Sequence, residues 1–324
     1  MSGQALRPPR PTTQDGSPRR VGVEIEFALL DCPETAAVVQ GMFGGEVEVI
    51  DPHRYKIRNT RLGDVTVELD MMFAHPTRPS HEDKGFVELV EDTFRTAVGA
   101  VGSLWMPYEI AMPPVAIDRL SEVDALVAAL REGGAIGTQV NPLHAFGMHL
   151  NVETAEKSAA YFTDHLKAFM LLSPWLRDQI AIDPTRDLAP YIERFPHGYV
   201  LKVIEPGYRP DLAGLIDGYL EANPTRNREL DMLPVFAHLD PERIFRVIDD
   251  AHVRPRPAFH YRLPDSRVDA PDWGIVPDWN RWVEVERLAA DPIRLEQMAS
   301  AYLASGAETV PADWHERTRE WLVS

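Results

Sequence analysis

A single cysteine, Cys32, in a chain of 324 residues leaves no intramolecular disulfide to form, which fits a reducing cytoplasm. No apolar run approaches the roughly 18 residues needed to cross a bilayer, and no signal-peptide core is visible, so a cytoplasmic protein with no membrane partner is expected. Basic residues are scarce: 33 Lys and Arg stand against 50 Asp and Glu, for a net charge of −17. Neutralising a phosphate backbone takes a basic stripe. None is present, and nucleic acid is set aside as a partner.

Several motif classes are missing as well. There is no Gly-x-x-x-x-Gly-Lys phosphate loop and no Gly-x-Gly-x-x-Gly fingerprint. His-Glu-x-x-His and Cys-x-x-Cys zinc patterns do not occur. Ser103, Ser158, Ser173 and Ser266 have no nucleophile-elbow context. Cys32 follows Asp31, whose charge would raise a thiol pKa, so a cysteine nucleophile is disfavoured.

What the sequence does contain is an ordinary globular composition, 44% apolar and 26% charged, long enough for a sizeable core. Residues 1–19 are rich in Pro, Arg, Gln and Gly and read as a disordered tail. Residues 20–324 read as a single domain with a C-terminal helical part, since no linker or internal repeat divides them. Gly22-Val23-Glu24-Ile25-Glu26-Phe27 reads as a strand with its two carboxylates on one face, roughly 7 Å apart. Side-by-side carboxylates repel and dehydrate at a cost unless a cation lies between them.

Further strands are predicted at Glu46–Ile50, Tyr55–Ile57, Asp64–Phe73, Leu104–Ala111 (ending at Pro113-Pro114), His144–Glu153 and Ala258–Leu263. Helical spacing predicts helices over 31–40, 81–101, 121–132, 155–182, 211–222, 240–250, 291–305 and 312–322. Ser121 and Asp124 are read as the cap of the third of these. Strands separated by helices without regular βαβ alternation imply an α+β layer: a mixed or antiparallel sheet whose apolar face is covered by helices.

The opposite face is chemically unusual. It offers Glu24 and Glu26; Glu68 and Asp70; His149, Asn151 and Glu153; His260 and Arg262; and Glu109 from Tyr108-Glu109-Ile110. A sheet with one wet face alternates for solubility alone, but such a face would normally mix Lys, Thr and Ser among its acids. Carboxylates with an imidazole suit Mg²⁺ or Mn²⁺ held beside a phosphate. Arg262, Arg256 or Arg267 could then neutralise phosphate oxygens through a bidentate fork. Trp273, Trp279 and Trp282 read as core, and 284–286 as helix rather than strand. Tyr191, Arg194, His197, Lys202 and the run Arg226–Asp231 read as loop residues or a substrate contact.

Five of these segments, in this order, resemble the amidoligases of the carboxylate–amine ligase superfamily, relatives of glutamine synthetase and γ-glutamylcysteine ligase. They are Gly-Val-Glu-Ile-Glu-Phe at 22–27, Val-Glu-Leu-Asp at 67–70, Glu-Ile-Ala-Met-Pro-Pro at 109–114, Gly-Met-His-Leu-Asn-Val at 147–152 and Phe-His-Tyr-Arg-Leu-Pro-Asp-Ser-Arg at 259–267. The resemblance implies a curved, mainly antiparallel sheet of the glutamine synthetase catalytic type, with ATP and two or three divalent ions (Mg²⁺ or Mn²⁺) on its concave face.

It further implies metal ligands at Glu24, Glu26, Glu68 or Asp70, Glu109 and His149, and phosphate contacts from His149 and Arg262, with Arg256 and Arg267 nearby. Glu26, Glu109 and Arg262 would carry the chemistry, amide formation from a small-molecule or peptide carboxylate and an amine through an acyl phosphate. Two positions depart from the pattern: Asn151 stands where related ligases often have a second His, and His260 where an acid is common. Two other readings use the same face, a metal-dependent hydrolase that needs no nucleotide and an inactive binding protein. Assembly into a homo-oligomer is left open.

Overall fold

The computed structural model describes residues 3–69, 107–138, 146–181, 192–306 and 310–322. The expected helix at 81–101, Asp70 and Tyr191 lie outside those residues. The sheet has eight strands: β1 (Arg20–Phe27), β2 (Glu46–Asp51), β3 (Arg54–Thr60), β4 (Gly63–Leu69), β5 (Tyr108–Ala116), β6 (Met148–Glu153), β7 (Leu230–Asp231) and β8 (Ala258–Tyr261). Their order is β2-β3-β4-β5-β1-β6-β8-β7, open at both edges and antiparallel at every pairing of these strands. The chemically loaded strands β5, β1, β6 and β8 are therefore consecutive neighbours in the sheet's centre.

Alternation decides the faces. Val21, Val23, Ile25 and Phe27 of β1, Val65, Val67 and Leu69 of β4, and Met148, Leu150 and Val152 of β6 are all buried on one side. Ten helices are found among the described residues: α1 (Cys32–Phe43), α2 (Leu120–Glu132), α3 (Ala159–Ile180), α4 (His197–Ile204), α5 (Leu212–Ala222), α6 (Leu233–Leu239), α7 (Pro241–Phe245), α8 (Ile275–Ala289), α9 (Pro292–Ala304) and α10 (Trp314–Leu322). Tyr161 and Phe162 of α3 pack on Phe259, and Phe169 packs on Tyr261. Trp282 of α8 lies 5.4 Å from Phe259 and 5.3 Å from Tyr261, so it belongs to the core with the fully buried Trp279, whereas Trp273 is only partly buried. The result is a mixed α/β fold whose helices rest on the sheet's apolar side.

Local chemistry explains the element ends. Asp31 accepts from the Glu34 amide (2.9 Å) while Glu34 accepts from the Asp31 amide (3.1 Å), a reciprocal cap that starts α1. β5 continues through Pro113-Pro114 instead of stopping there. The register with β1 slips between Val21 and Val23, so both prolines face Gly22 in a bulge where no ladder donor is required. Asp124 does not cap its own helix: its Oδ1 accepts from the amides of Ile275 and Val276 and caps α8. The middle segment holds a helix, α4, missed because its eight residues are fewer than the roughly 11–18 over which helical spacing is read.

The N-terminal segment makes contacts that its composition does not announce. Composition reads it as a tail, yet Leu6 donates its amide to Asn280 (2.7 Å), and Trp279 Nε1 donates to the Leu6 carbonyl (2.9 Å). Arg19, 1% exposed, forks onto Glu286 with two 2.8 Å bonds and also donates to the carbonyls of Glu153 and Arg10, each at 2.7 Å. Glu286 accepts a further bond from Trp282 Nε1. A segment with little to bury is thus held by polar contacts to α8, which composition does not register.

His165 of α3 carries a pH dependence. Burial pushes its imidazole down to about 4, against the opposing pull of Glu286 and of its bond to the Tyr161 carbonyl. An unfolded histidine titrates near 6.5, so between about pH 6.5 and about pH 4 the unfolded chain takes a proton that the folded chain refuses. Stability is complete above that window and falls as the pH drops through it. His165→Gln should flatten this slope by on the order of 2 kcal/mol between about pH 7 and about pH 5, read from urea midpoints at the two values.

A candidate metal centre on the polar face of the sheet

The register sets the polar side chains in cross-strand rows. Glu68 of β4, Glu109 of β5 and Glu26 of β1 are direct partners in one row, closed at its outer end by Arg54, which is 2.7 Å from Glu68. The neighbouring row pairs Glu24 of β1 with His149 of β6. A third pairs Asn151 of β6 with His260 of β8 and His260 with Asp231 of β7. Cross-strand Cβ atoms lie about 5 Å apart, and like charges directly opposite destabilise a sheet. Three successive glutamates therefore favour positive charge beside them, which Arg54 supplies at the Glu68 end.

Glu24 is the hub. Its Oε1 accepts from Asn151 Nδ2 (2.7 Å) and lies 3.7 Å from Arg256, while its Oε2 is 3.1 Å from His149 Nδ1 and 3.6 Å from His260 Nε2. His149 Nε2 is also 3.9 Å from Glu26 Oε1. The imidazoles meet edge to face, 5.2 Å between centroids. One donor atom from each of Glu24, His149 and His260 lies within 4.8 Å of the others, which places all three around a volume that one ion can fill. Glu26 accepts from the Gly147 amide (2.7 Å), the backbone step immediately before β6.

Burial sharpens the electrostatics. Glu26, His149, His260, Arg262 and Asp231 are all under 9% exposed, so this part of the face is shielded from bulk water. Burial raises the Glu24 carboxyl, but the adjoining His149 and His260 outweigh it and hold the group well below the usual carboxylate range. Burial lowers His149 to about 3, with Arg262 adding to the effect and Glu24 opposing it. At neutral pH the pair is a carboxylate beside a neutral imidazole, the protonation state that binds a metal. Arg262 is lowered by burial and by Arg226, while Asp231, Glu26 and Glu24 pull it back up, so its charge faces the acidic cluster.

The remaining candidates divide. Glu24, Glu26, Glu68, Glu109 and His149 share the face; Arg262 and Arg256 border it, and Asp70 lies outside the described residues. Arg267 lines a hollow at the start of α8 with Trp273, Asp278 and Arg281. Glu153 accepts from the Arg20 amide (2.9 Å), four residues along β6 from His149. The buried Cys32 thiol is pushed up to about 12 by burial and by Asp31, Asp51 and Glu68, which agrees with its exclusion as a nucleophile. Asp231 went unassigned as a site residue because a two-residue strand carries no alternation. Its partner His260 was placed on the polar face by alternation but was not assigned as a ligand.

An open antiparallel sheet that shields a carboxylate–imidazole cluster on one face and covers the other with helices defines an α/β protein with the makings of a metal site. The family model described as "putative amidoligase enzyme" matches residues 17–284, and the chain belongs to that amidoligase family. The matched span takes in every strand of the sheet. No curated protein and no solved structure matches the chain.

Proposed function

We propose that this protein is an ATP-dependent carboxylate–amine ligase, with the Glu24–His149 and Glu68–Glu109–Glu26 rows forming its nucleotide and metal face. The observation that carries the reading is the juxtaposition of those acids with two imidazoles and the buried Arg262 guanidinium, inside a family described as amidoligase. Mg²⁺ or Mn²⁺, when bound, would neutralise the phosphate oxygens and hold ATP for in-line transfer.

Glu24, Glu26 and His149 are the residues to hold the ions; Glu68 and Glu109 extend the acidic row. Arg262, with Arg256 beside Glu24, would take up charge on the transferring phosphoryl group. A substrate carboxylate oxygen attacks the γ-phosphorus, the bond to the bridging oxygen breaks, and ADP leaves with that electron pair. The amine nitrogen then attacks the acyl carbon and inorganic phosphate departs. One amine proton must go to a base. Glu109 and Glu153 are the carboxylates of this face proposed for that role.

A screen of ADP release with Mg²⁺, against paired amino acids, polyamines and small peptides, tests this. The expected result is ADP release that requires both an acid and an amine. Turnover of an amide or phosphoester without nucleotide would instead establish the hydrolase reading. Failure of Mg-ATP to bind by calorimetry would point to an inactive member of the family.

A further inference from the structure

The donor set around Glu24 does not match the ion that an all-oxygen phosphoryl-transfer site prefers. Mg²⁺ demands near-octahedral oxygen coordination and binds imidazole poorly, whereas first-row transition ions accept imidazole readily. Here two of the three converging side chains are histidines, each less than 9% exposed.

His260 is also oriented in the way a ligating histidine is. Its Nδ1 lies 3.3 Å from Asp231 Oδ2, and Asp231 is itself 2% exposed and fixed by accepting from the Leu233 amide through Oδ1 (2.9 Å). A carboxylate on one ring nitrogen sets the tautomer and leaves the lone pair of the other free for a metal. That other atom, Nε2, is buried, has no hydrogen-bond partner and points at Glu24 Oε2, 3.6 Å away. An orphaned buried nitrogen is costly unless something satisfies it. Asn151 Oδ1 is a second buried acceptor with no partner, on the residue whose Nδ2 binds Glu24. A buried imidazole nitrogen facing a carboxylate oxygen across 3.6 Å is the pairing that a cation's ligands make.

We infer that the Glu24–His149–His260 position, with Asp231 orienting His260, selects a first-row transition ion such as Mn²⁺, Co²⁺ or Zn²⁺ over Mg²⁺. The inference rests on the cation-binding reading of this face, and its test needs no nucleotide. The Glu68–Glu109–Glu26 row offers only oxygen and remains the place for a harder ion.

The experiment uses the full-length, metal-stripped protein and each metal alone, with no substrate. Calorimetric titration should give Mn²⁺ or Zn²⁺ binding at least 10-fold tighter than Mg²⁺ at one site. In the Co²⁺ form the visible absorption should report imidazole coordination. His260→Glu should bring Mg²⁺ and Mn²⁺ affinities together and change the Co²⁺ spectrum. Asp231→Asn should weaken the transition ion by about 10- to 100-fold and leave Mg²⁺ binding elsewhere on the face unchanged. His260→Gln, nearer in size to the native ring, guards against a folding defect, with circular dichroism and thermal melting as controls. Equal affinity of the unaltered protein for Mg²⁺ and Mn²⁺ would overturn the inference. So would a Co²⁺ spectrum indifferent to His260. A protein that selects transition ions but releases no ADP would refute the ligase proposal and leave this one standing.

Discussion

Replacing Glu26 by Gln abolishes ATP turnover and leaves the fold intact; that is the expected result with the largest catalytic effect. Glu26 lies between two rows: paired with Glu109 on one side, and 3.9 Å from His149 Nε2 on the other. The amide keeps the shape and can still accept from Gly147 through its oxygen, so the 2.7 Å bond that joins β1 to the entrance of β6 survives. What disappears is one negative charge in a buried site. Removing a single preorganised electrostatic group costs about 100- to 1000-fold in rate, and a metal ligand should fall at the upper end. ADP release, measured on the substrate pair that the screen identifies, reads the loss, and circular dichroism checks the fold. Full activity in Glu26→Gln would remove this face from the mechanism.

The largest effect on stability is expected at Arg19. Its guanidinium and Glu286 are 1% and 3% exposed and joined by two 2.8 Å bonds. Truncating Arg19 to Ala leaves Glu286 buried with only Trp282 Nε1 as a donor from that cluster. Breaking one side of such a pair costs roughly 3–5 kcal/mol, most of it the uncompensated charge. The Arg19→Met, Glu286→Leu double replacement should recover much of the loss, because no charge is left without a partner. Urea midpoints of the single and double variants decide the matter. A loss below about 1 kcal/mol in Arg19→Ala would mean that water reaches Glu286 once the arginine is gone. Because Arg19 also donates to the Arg10 carbonyl, the single variant should release the segment before β1, seen as faster proteolysis there.

The sequence by itself determined the faces of the sheet. A period of two in Val23-Glu24-Ile25-Glu26-Phe27 and in Met148-His149-Leu150-Asn151-Val152 fixes which side chains go inward, since a one-residue slip would bury charge across the whole strand. It likewise determined the family, through five short motifs in order, and the residue types of the candidate centre. Three kinds of information were beyond it. The polar N-terminal clasp depends on α8, more than 250 residues away, and composition counts only apolar surface. The bulge that lets β5 run through Pro113-Pro114 depends on Gly22 in the neighbouring strand.

Most of all, the neighbour relations within the site were decided by strand order. Period-two alternation says that Glu24, His149 and His260 each face the same way but is silent on which strands are adjacent. Only the order β5-β1-β6-β8-β7 sets His149 against Glu24, brings His260 to the same oxygen and backs it with Asp231. Side-chain direction is a local property of the backbone and is written in the sequence. Convergence of donors from four strands is a property of their packing, and it appears only when the chain is folded.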